Sequence, residues 1–196
     1  MSQINRFKNP TILDCTLRDG SYVIDFQFTK EDTFIIASNL CEAGFEYIEV
    51  GHGVGLGASK KGFDVAAATD EEYCKATVDA IGDKAKWGMF CIPGIAKLED
   101  LEIAIDYGMD FVRIGTDVNK VNESEKFIEL AKKKGLEVFA NFMKSYVLSP
   151  KEFAALVNKS YQFGADGIYL VDSAGGMLPN QVRSFIRASF DLNPEF

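Results

Sequence analysis

A sixfold alternation constrains this chain more than any other feature of its sequence. Apolar, β-rich runs stand at "PTILDCTL" (10–17), "FEYIEVG" (45–51), "KWGMFCI" (86–92), "FVRIGT" (111–116), "EVFANFM" (137–143) and "GIYLVDS" (167–173), with helical stretches between them. The helices carry start signals. Thr29-x-x-Asp32 and Thr69-x-x-Glu72 have the form of capping boxes, and Ser149-Pro150-Lys151-Glu152 adds a proline at the first helical position. They also carry stops, because Gly44, Gly82, Gly108, Gly135 and Gly164 each fall just after a helix, where a left-handed residue closes the last turn. Strands that alternate with helices imply parallel strands joined by right-handed crossovers.

Two architectures accept six such units. A doubly wound sheet would usually carry a glycine-rich phosphate loop after its first strand. Here strand one runs directly into Arg18-Asp19-Gly20-Ser21-Tyr22, with no G-x-G-x-x-G. A closed barrel needs eight units and about 250 residues. The expectation is therefore an α/β fold, a TIM (β/α)8 barrel truncated to about six β-α units, forming a single domain over residues 1–196 that lacks the last two units. Such an open barrel leaves the edges of strands one and six unpaired. The chain is expected either to form a homodimer through those edges or to be the N-terminal portion of a longer protein.

Composition excludes several classes of partner. A net charge of −8, with no basic run longer than Lys132-Lys133-Lys134, argues against a nucleic-acid surface. That triplet ends a helix, where cations complement the dipole. No apolar run approaches the ~20 residues of a membrane span. Cys15, Cys41, Cys74 and Cys91 are far apart, and the opening "MSQINRFKNP" has no apolar signal core, so reduced thiols and a cytoplasmic location are expected.

In parallel α/β folds the chemistry gathers at the carboxyl ends of the strands. Those positions here hold Arg18-Asp19, Glu49 with His52, Pro93-Gly94, Thr116-Asp117, Lys144-Ser145-Tyr146 and Asp172-Ser173, a set rich in carboxylates and poor in histidine. Strand alternation separates Asp14 and Thr16 from Leu13, Cys15 and Leu17. If the apolar face meets the helices, Asp14 and Thr16 point into the barrel.

The motif "TLRDG" resembles the signature closing strand one of the metal-dependent aldolase and acyltransferase barrels, a group that includes 3-hydroxy-3-methylglutaryl-CoA lyase, isopropylmalate synthase and 4-hydroxy-2-oxovalerate aldolase. The segments "IEVGHGVGLGAS", "GFDVAAATDEE", "PGIAKLEDL", "MKSYVLSP" and "GIYLVDSAGG" are similar, in order and spacing, to 4-hydroxy-2-oxovalerate aldolase. The resemblance implies a divalent-metal-dependent lyase that makes or breaks a C–C bond of a small 4-hydroxy-2-oxo acid by way of a pyruvate enolate. It implies Mn2+ or Mg2+ on Asp19 and Arg18 at the keto oxygen. Ser173 would contact the substrate carboxylate or cap the following helix. Glu49 would orient Arg18 or only line the barrel. His52, the sole histidine, would reach substrate or only shape its loop. Small 2-oxo acid and aldehyde substrates follow, with an acylating aldehyde dehydrogenase as the partner usual for such aldolases.

The chain departs from that pattern at three places. Tyr22 stands where the aldolases have the histidine that takes the proton of the substrate hydroxyl, and a phenol with a reference pKa of about 10 is a poor base at neutral pH. Tyr146 stands at a second expected histidine. The metal-binding His-x-His pair of strand seven has no counterpart in this chain. Competing readings are an acyl-CoA-dependent Claisen condensing enzyme of the isopropylmalate synthase kind, a Schiff-base aldolase using Lys144, and a barrel relative that has lost catalysis.

Overall fold

The computed structural model describes residues 10–194. Its six strands are β1 (Leu13–Asp14), β2 (Tyr47–Val50), β3 (Lys86–Cys91), β4 (Phe111–Asp117), β5 (Glu137–Met143) and β6 (Gly167–Leu170). They form one wholly parallel sheet in the order β1-β2-β3-β4-β5-β6. That order excludes a doubly wound sheet, in which strand order reverses at a switch point. The sheet is strongly curved. In a flat sheet β2 and β5 would lie three spacings of about 4.8 Å apart, yet the Tyr47 hydroxyl on β2 donates to Glu137 Oε2 on β5 at 2.8 Å. The molecule is thus a six-unit sector of a (β/α)8 barrel.

Helices α1 (Lys30–Glu42), α2 (Ala58–Lys61), α3 (Asp70–Ile81), α4 (Leu98–Asp106), α5 (Glu125–Lys133), α6 (Pro150–Phe163) and α7 (Pro179–Leu192) complete the units. The three capping boxes expected at Thr29, Thr69 and Ser149 all form, each side chain accepting from the N–H three residues on. All five glycine stops lie at positive φ.

Strand register sorts the side chains. Ile48, Val50, Met89, Cys91, Val112 and Val138 face outward into the core shared with the helices. The inner face carries Tyr47, Glu49, Phe90, Phe111, Arg113, Phe139, Asn141 and Tyr169. Glycine makes this inner face possible at Gly115, where a Cβ would collide with the Phe90 ring.

The first strand corrects the alternation argument. Leu13 pairs with Tyr47, which places Leu13 and Cys15 on the inner face instead of Asp14 and Thr16. The inner face is aromatic and guanidinium-lined, so it accepts Leu13 and Cys15. Asp14 instead builds a turn, accepting from the Thr16 N–H at 2.9 Å and the Thr16 hydroxyl at 3.1 Å. The strand ends early for the same reason. The Cys15 carbonyl takes the N–H groups of Arg18, Asp19 and Gly20, so the chain turns before Leu17, which reaches the helix-side core.

Candidate active site

The turn at Cys15 delivers Arg18 and Asp19 to the carboxyl-end rim, ahead of a 3-10 segment over Asp19–Ile24. Arg18 is buried, and its guanidinium is fixed from two sides. Nε donates to Glu49 Oε2 at 2.6 Å, and Nη1 donates to Asp19 Oδ1 at 2.6 Å and to the Gly53 carbonyl at 3.4 Å. The Phe90 ring lies against it at 4.9 Å. Nη2 makes no hydrogen bond to the described residues.

Glu49 lies two residues after Tyr47 on β2 and is wholly buried. A carboxylate there is tolerable only when its oxygens are paired. Arg18 supplies one partner and Arg113, in the middle of β4, supplies two, from Nε to Oε1 at 2.7 Å and from Nη2 to Oε2 at 2.6 Å. Burial alone would raise the Glu49 pKa, but the Arg113 and Arg18 guanidiniums outweigh it and hold the carboxyl below its ordinary value. Arg113 also donates from Nη1 to Asn141 Oδ1 at 3.1 Å and lies near the rings of Phe90 and Tyr169, 5.2 and 4.8 Å from their centroids. Two guanidiniums share one buried carboxylate, so the cluster beneath the rim keeps a positive charge that Asp19 balances only from the surface.

Other residues singled out from the sequence fall around this cluster. Tyr22 is half-exposed, its ring edge-on to Phe26 at 4.9 Å. Burial raises its pKa above the ordinary phenol value, with the Asp19 charge adding and Arg18 partly opposing, so the hydroxyl keeps its proton at neutral pH. His52 is buried and stacked on Phe26. Its Nε2 faces the Asp64 carbonyl at 2.7 Å and its Nδ1 accepts the Val54 N–H at 3.0 Å. Both ring nitrogens are therefore engaged in holding the 51–68 loop, whose Gly53 carbonyl touches Arg18. Ser173 is exposed and accepts the Lys144 N–H at 3.1 Å, tying the ends of β5 and β6 together. The Lys144 ammonium contacts Asp117 at 2.9 Å, which raises its pKa and keeps it from serving as a neutral nucleophile.

A metal fits these residues poorly. Asp19 offers a single carboxylate with one oxygen already on Arg18, and no group of three or more His, Cys, Asp and Glu that could hold an ion occurs among the described residues. Arg113 and Asn141 escape a reading confined to strand ends. Their signal was a polar side chain in mid-strand, in phase with inward aromatics: Arg113 two residues after Phe111, Asn141 two after Phe139.

The fold and site define an α/β-barrel protein that presents a buttressed arginine and an acidic neighbour at the end of its first strand. The chain belongs to the HMGL-like family, whose model matches residues 9–192. It is 39% identical over 181 residues to the 4-hydroxy-2-oxovalerate aldolase of Carboxydothermus hydrogenoformans, covering 92% of this chain and 54% of that protein. It is 38% identical over 181 residues to the oxaloacetate decarboxylase of Mycobacterium tuberculosis, covering 92% and 53%. Its fold superposes with a TM-score of 0.73 on the HMG-CoA lyase from Brucella melitensis, at 16% identity over 94% of this chain and 68% of that one. The carboxyl transferase domain of Rhizobium etli pyruvate carboxylase, solved with pyruvate and biocytin, gives 0.76 at 16% identity, over 96% and 35%. The chain spans about half the length of the curated relatives it matches.

Proposed function

We propose that the protein to which this chain belongs is a carbon–carbon lyase that stabilises the enolate of pyruvate, acting on a small 4-hydroxy-2-oxo acid, with this chain forming six units of its barrel domain. The observation that carries this reading is Arg18: a guanidinium pinned at Nε and Nη1, with Nη2 left for a ligand. When the C3–C4 bond of a 4-hydroxy-2-oxo acid breaks, its electron pair moves into the C2–C3 enolate and charge grows on the keto oxygen. A fixed donor aimed at that oxygen lowers the barrier without reorganising. Tyr22, holding its proton, hydrogen-bonds the C4 oxygen of the substrate, while the proton that the C4 hydroxyl loses as the aldehyde forms would have to pass to a base from outside the described residues. Ser173, at the end of β6, is proposed to meet the substrate carboxylate. Glu49 and His52 act behind these groups, Glu49 on the Arg18 guanidinium and His52 on the Gly53 carbonyl.

The metal we propose is Mn2+ or Mg2+, hard cations suited to the Asp19 carboxylate, whose further ligands would have to come from outside the described residues. The aldehyde half would pass to an acylating aldehyde dehydrogenase. A cytoplasmic setting agrees with four free thiols at Cys15, Cys41, Cys74 and Cys91. Among the described residues no helix is long and apolar enough to cross a membrane.

One observation favours a second substrate for the same site. Retro-aldol cleavage needs a base for the C4 hydroxyl, but Tyr22 holds its proton and His52 has both nitrogens engaged. Decarboxylation of a 2-oxo diacid such as oxaloacetate produces the same enolate with loss of CO2 and needs no base. Both reactions release pyruvate, so a coupled pyruvate assay on the full-length protein, with 4-hydroxy-2-oxopentanoate and with oxaloacetate, tests the two together. Turnover of either that falls on Arg18→Ala supports the enolate reading. No turnover of either, with Mn2+ supplied, overturns it.

A further inference from the structure

We propose that Arg113 is a positioning residue that keeps Arg18 available to substrate by occupying the Glu49 oxygen that Arg18 would otherwise take. This rests on the reading of Arg18 as the donor to the substrate keto oxygen. Arg113 itself is fully committed. Nε and Nη2 form a two-bond fork on Glu49, Nη1 holds Asn141, Nη2 also touches Cys15 Sγ at 3.6 Å, and the centroids of the Phe90 and Tyr169 rings lie 5.2 and 4.8 Å from its guanidinium carbon. It has little left to offer a ligand.

What it controls is the geometry of Arg18. A guanidinium binds a carboxylate most strongly side-on, with Nε on one oxygen and Nη2 on the other. Arg18 already has Nε on Glu49 Oε2 at 2.6 Å, so its own side-on pairing would need only Oε1 for Nη2. Oε1 is held instead by Arg113 Nε at 2.7 Å, and Arg113 Nη2 shares Oε2. Arg18 is thereby confined to a single-oxygen contact, and Nη2 stays unspent beside the rim. The Asn141 amide oxygen, taking Arg113 Nη1, fixes the plane of the competing fork. Lysine at 113 would preserve the charge but not the fork, because an ammonium is a point donor. Glu49 would then be free to close side-on over Arg18 and withdraw Nη2.

The test uses Arg113→Lys in this chain with oxalate as the probe, a planar dianion shaped like the pyruvate enolate, together with a crystal structure of the variant. The expected structure shows Arg18 Nη2 on Glu49 Oε1. The expected binding is about tenfold weaker than wild type, the size of coupling that contacting residues show, with no further loss when Arg113→Lys is added to Arg18→Ala. An unchanged Arg18–Glu49 contact in the variant overturns the inference, as does an equal loss in the Arg18→Ala background, which would mark Arg113 as structural. If wild type does not bind oxalate, the donor reading of Arg18 fails, while the crystal structure still decides whether Arg113 governs Arg18. Should Arg113→Lys not fold, Asn141→Ala releases only the Arg113 plane. It should weaken oxalate binding in the same direction by about twofold to threefold, less than the full worth of the charge-assisted hydrogen bond removed because the effect reaches the ligand only through Arg113, and no change there would overturn the inference.

Discussion

The two ends of the barrel interior hold two charge clusters that both draw on β2, and they behave differently. At the carboxyl end Glu49 is sealed between Arg18 and Arg113. Two residues earlier on β2, Tyr47 sits at the amino end, where Lys86 Nζ donates to the Tyr47 hydroxyl at 2.8 Å and to Glu137 Oε2 at 2.9 Å. There the lysine side chain is 50% exposed and the glutamate 31%, against 11%, 9% and 0% for Arg18, Arg113 and Glu49. A cavity of about 540 Å³ opens at that amino end, lined by Tyr47, Lys86 and Asp110 among others, with none of the rim residues in its wall. Space alone therefore does not locate the chemistry. Water reaches the lysine cluster and screens it, whereas the arginine cluster lies in a medium where orientation and pairing dominate.

The largest expected effect follows from that burial. Glu49→Ala leaves two guanidiniums buried against each other with only the exposed Asp19 carboxylate as counter-charge, and breaking a buried ionic cluster in this way costs about 3–5 kcal/mol. Chemical denaturation of the chain checks it; a loss below 1 kcal/mol would mean that water enters the cluster. The same residue sets a pH dependence. Because its folded pKa lies below the unfolded value of 4.5, its stabilisation is complete above pH 4.5 and is lost as pH falls through the folded value. Acid unfolding of wild type should therefore steepen below pH 4.5, and Glu49→Gln should lack that component.

Next in size is the effect on turnover. Arg18→Ala in the full-length protein should lower kcat and kcat/KM together by about two to three orders of magnitude, as for removal of one oxyanion donor. Arg18→Lys should not restore the rate, because a compact ammonium on a flexible stem cannot reproduce the planar fork that reaches Glu49, Asp19 and the ligand in fixed directions. A loss confined to KM would show that Arg18 contributes ground-state binding alone.

Much of this organisation was legible in the sequence, and the exceptions share a cause. The alternation of runs, the capping boxes and the glycine stops are local devices, and each recurs in the fold. The placement of Arg18, Asp19 and Glu49 at the carboxyl-end rim is legible because they stand at strand ends. Arg113 and Asn141 escape a reading confined to strand ends, since Arg113 stands in mid-strand and meets Glu49 across β3 while Asn141 takes it from the neighbouring β5. Alternation places Leu13 and Cys15 on the helix side, contrary to the register of β1, because the rule that apolar residues meet the helices presumes a neutral interior. Here the interior is lined with rings and guanidiniums. His52 left its role open, since one histidine in a glycine-rich loop reads alike as a ligand or as the loop's internal brace. Its two engaged nitrogens are visible only once Asp64 and Val54 fold back over it.

The smallest expected effect completes the contrast between the two ends. Lys86 is tied to Tyr47 and Glu137, and both contacts raise its pKa, with the tyrosine hydroxyl the larger cause. Its exposure nonetheless places it among surface ion pairs, whose net worth is about 0–1 kcal/mol. Lys86→Met should retain packing over the Tyr47 ring, where the ammonium now lies 4.9 Å from the centroid, while removing the charge. The stability change should stay below about 1 kcal/mol and shrink further in high salt, where exposed charges are screened. Oxalate binding should not change, because among the described residues only ring contacts, with no hydrogen bond or ion pair, join the Lys86 cluster to the carboxyl-end one. Were Lys86→Met to cost as much as Glu49→Ala, or to weaken oxalate, the two clusters would be one coupled network, and burial would not be what separates them.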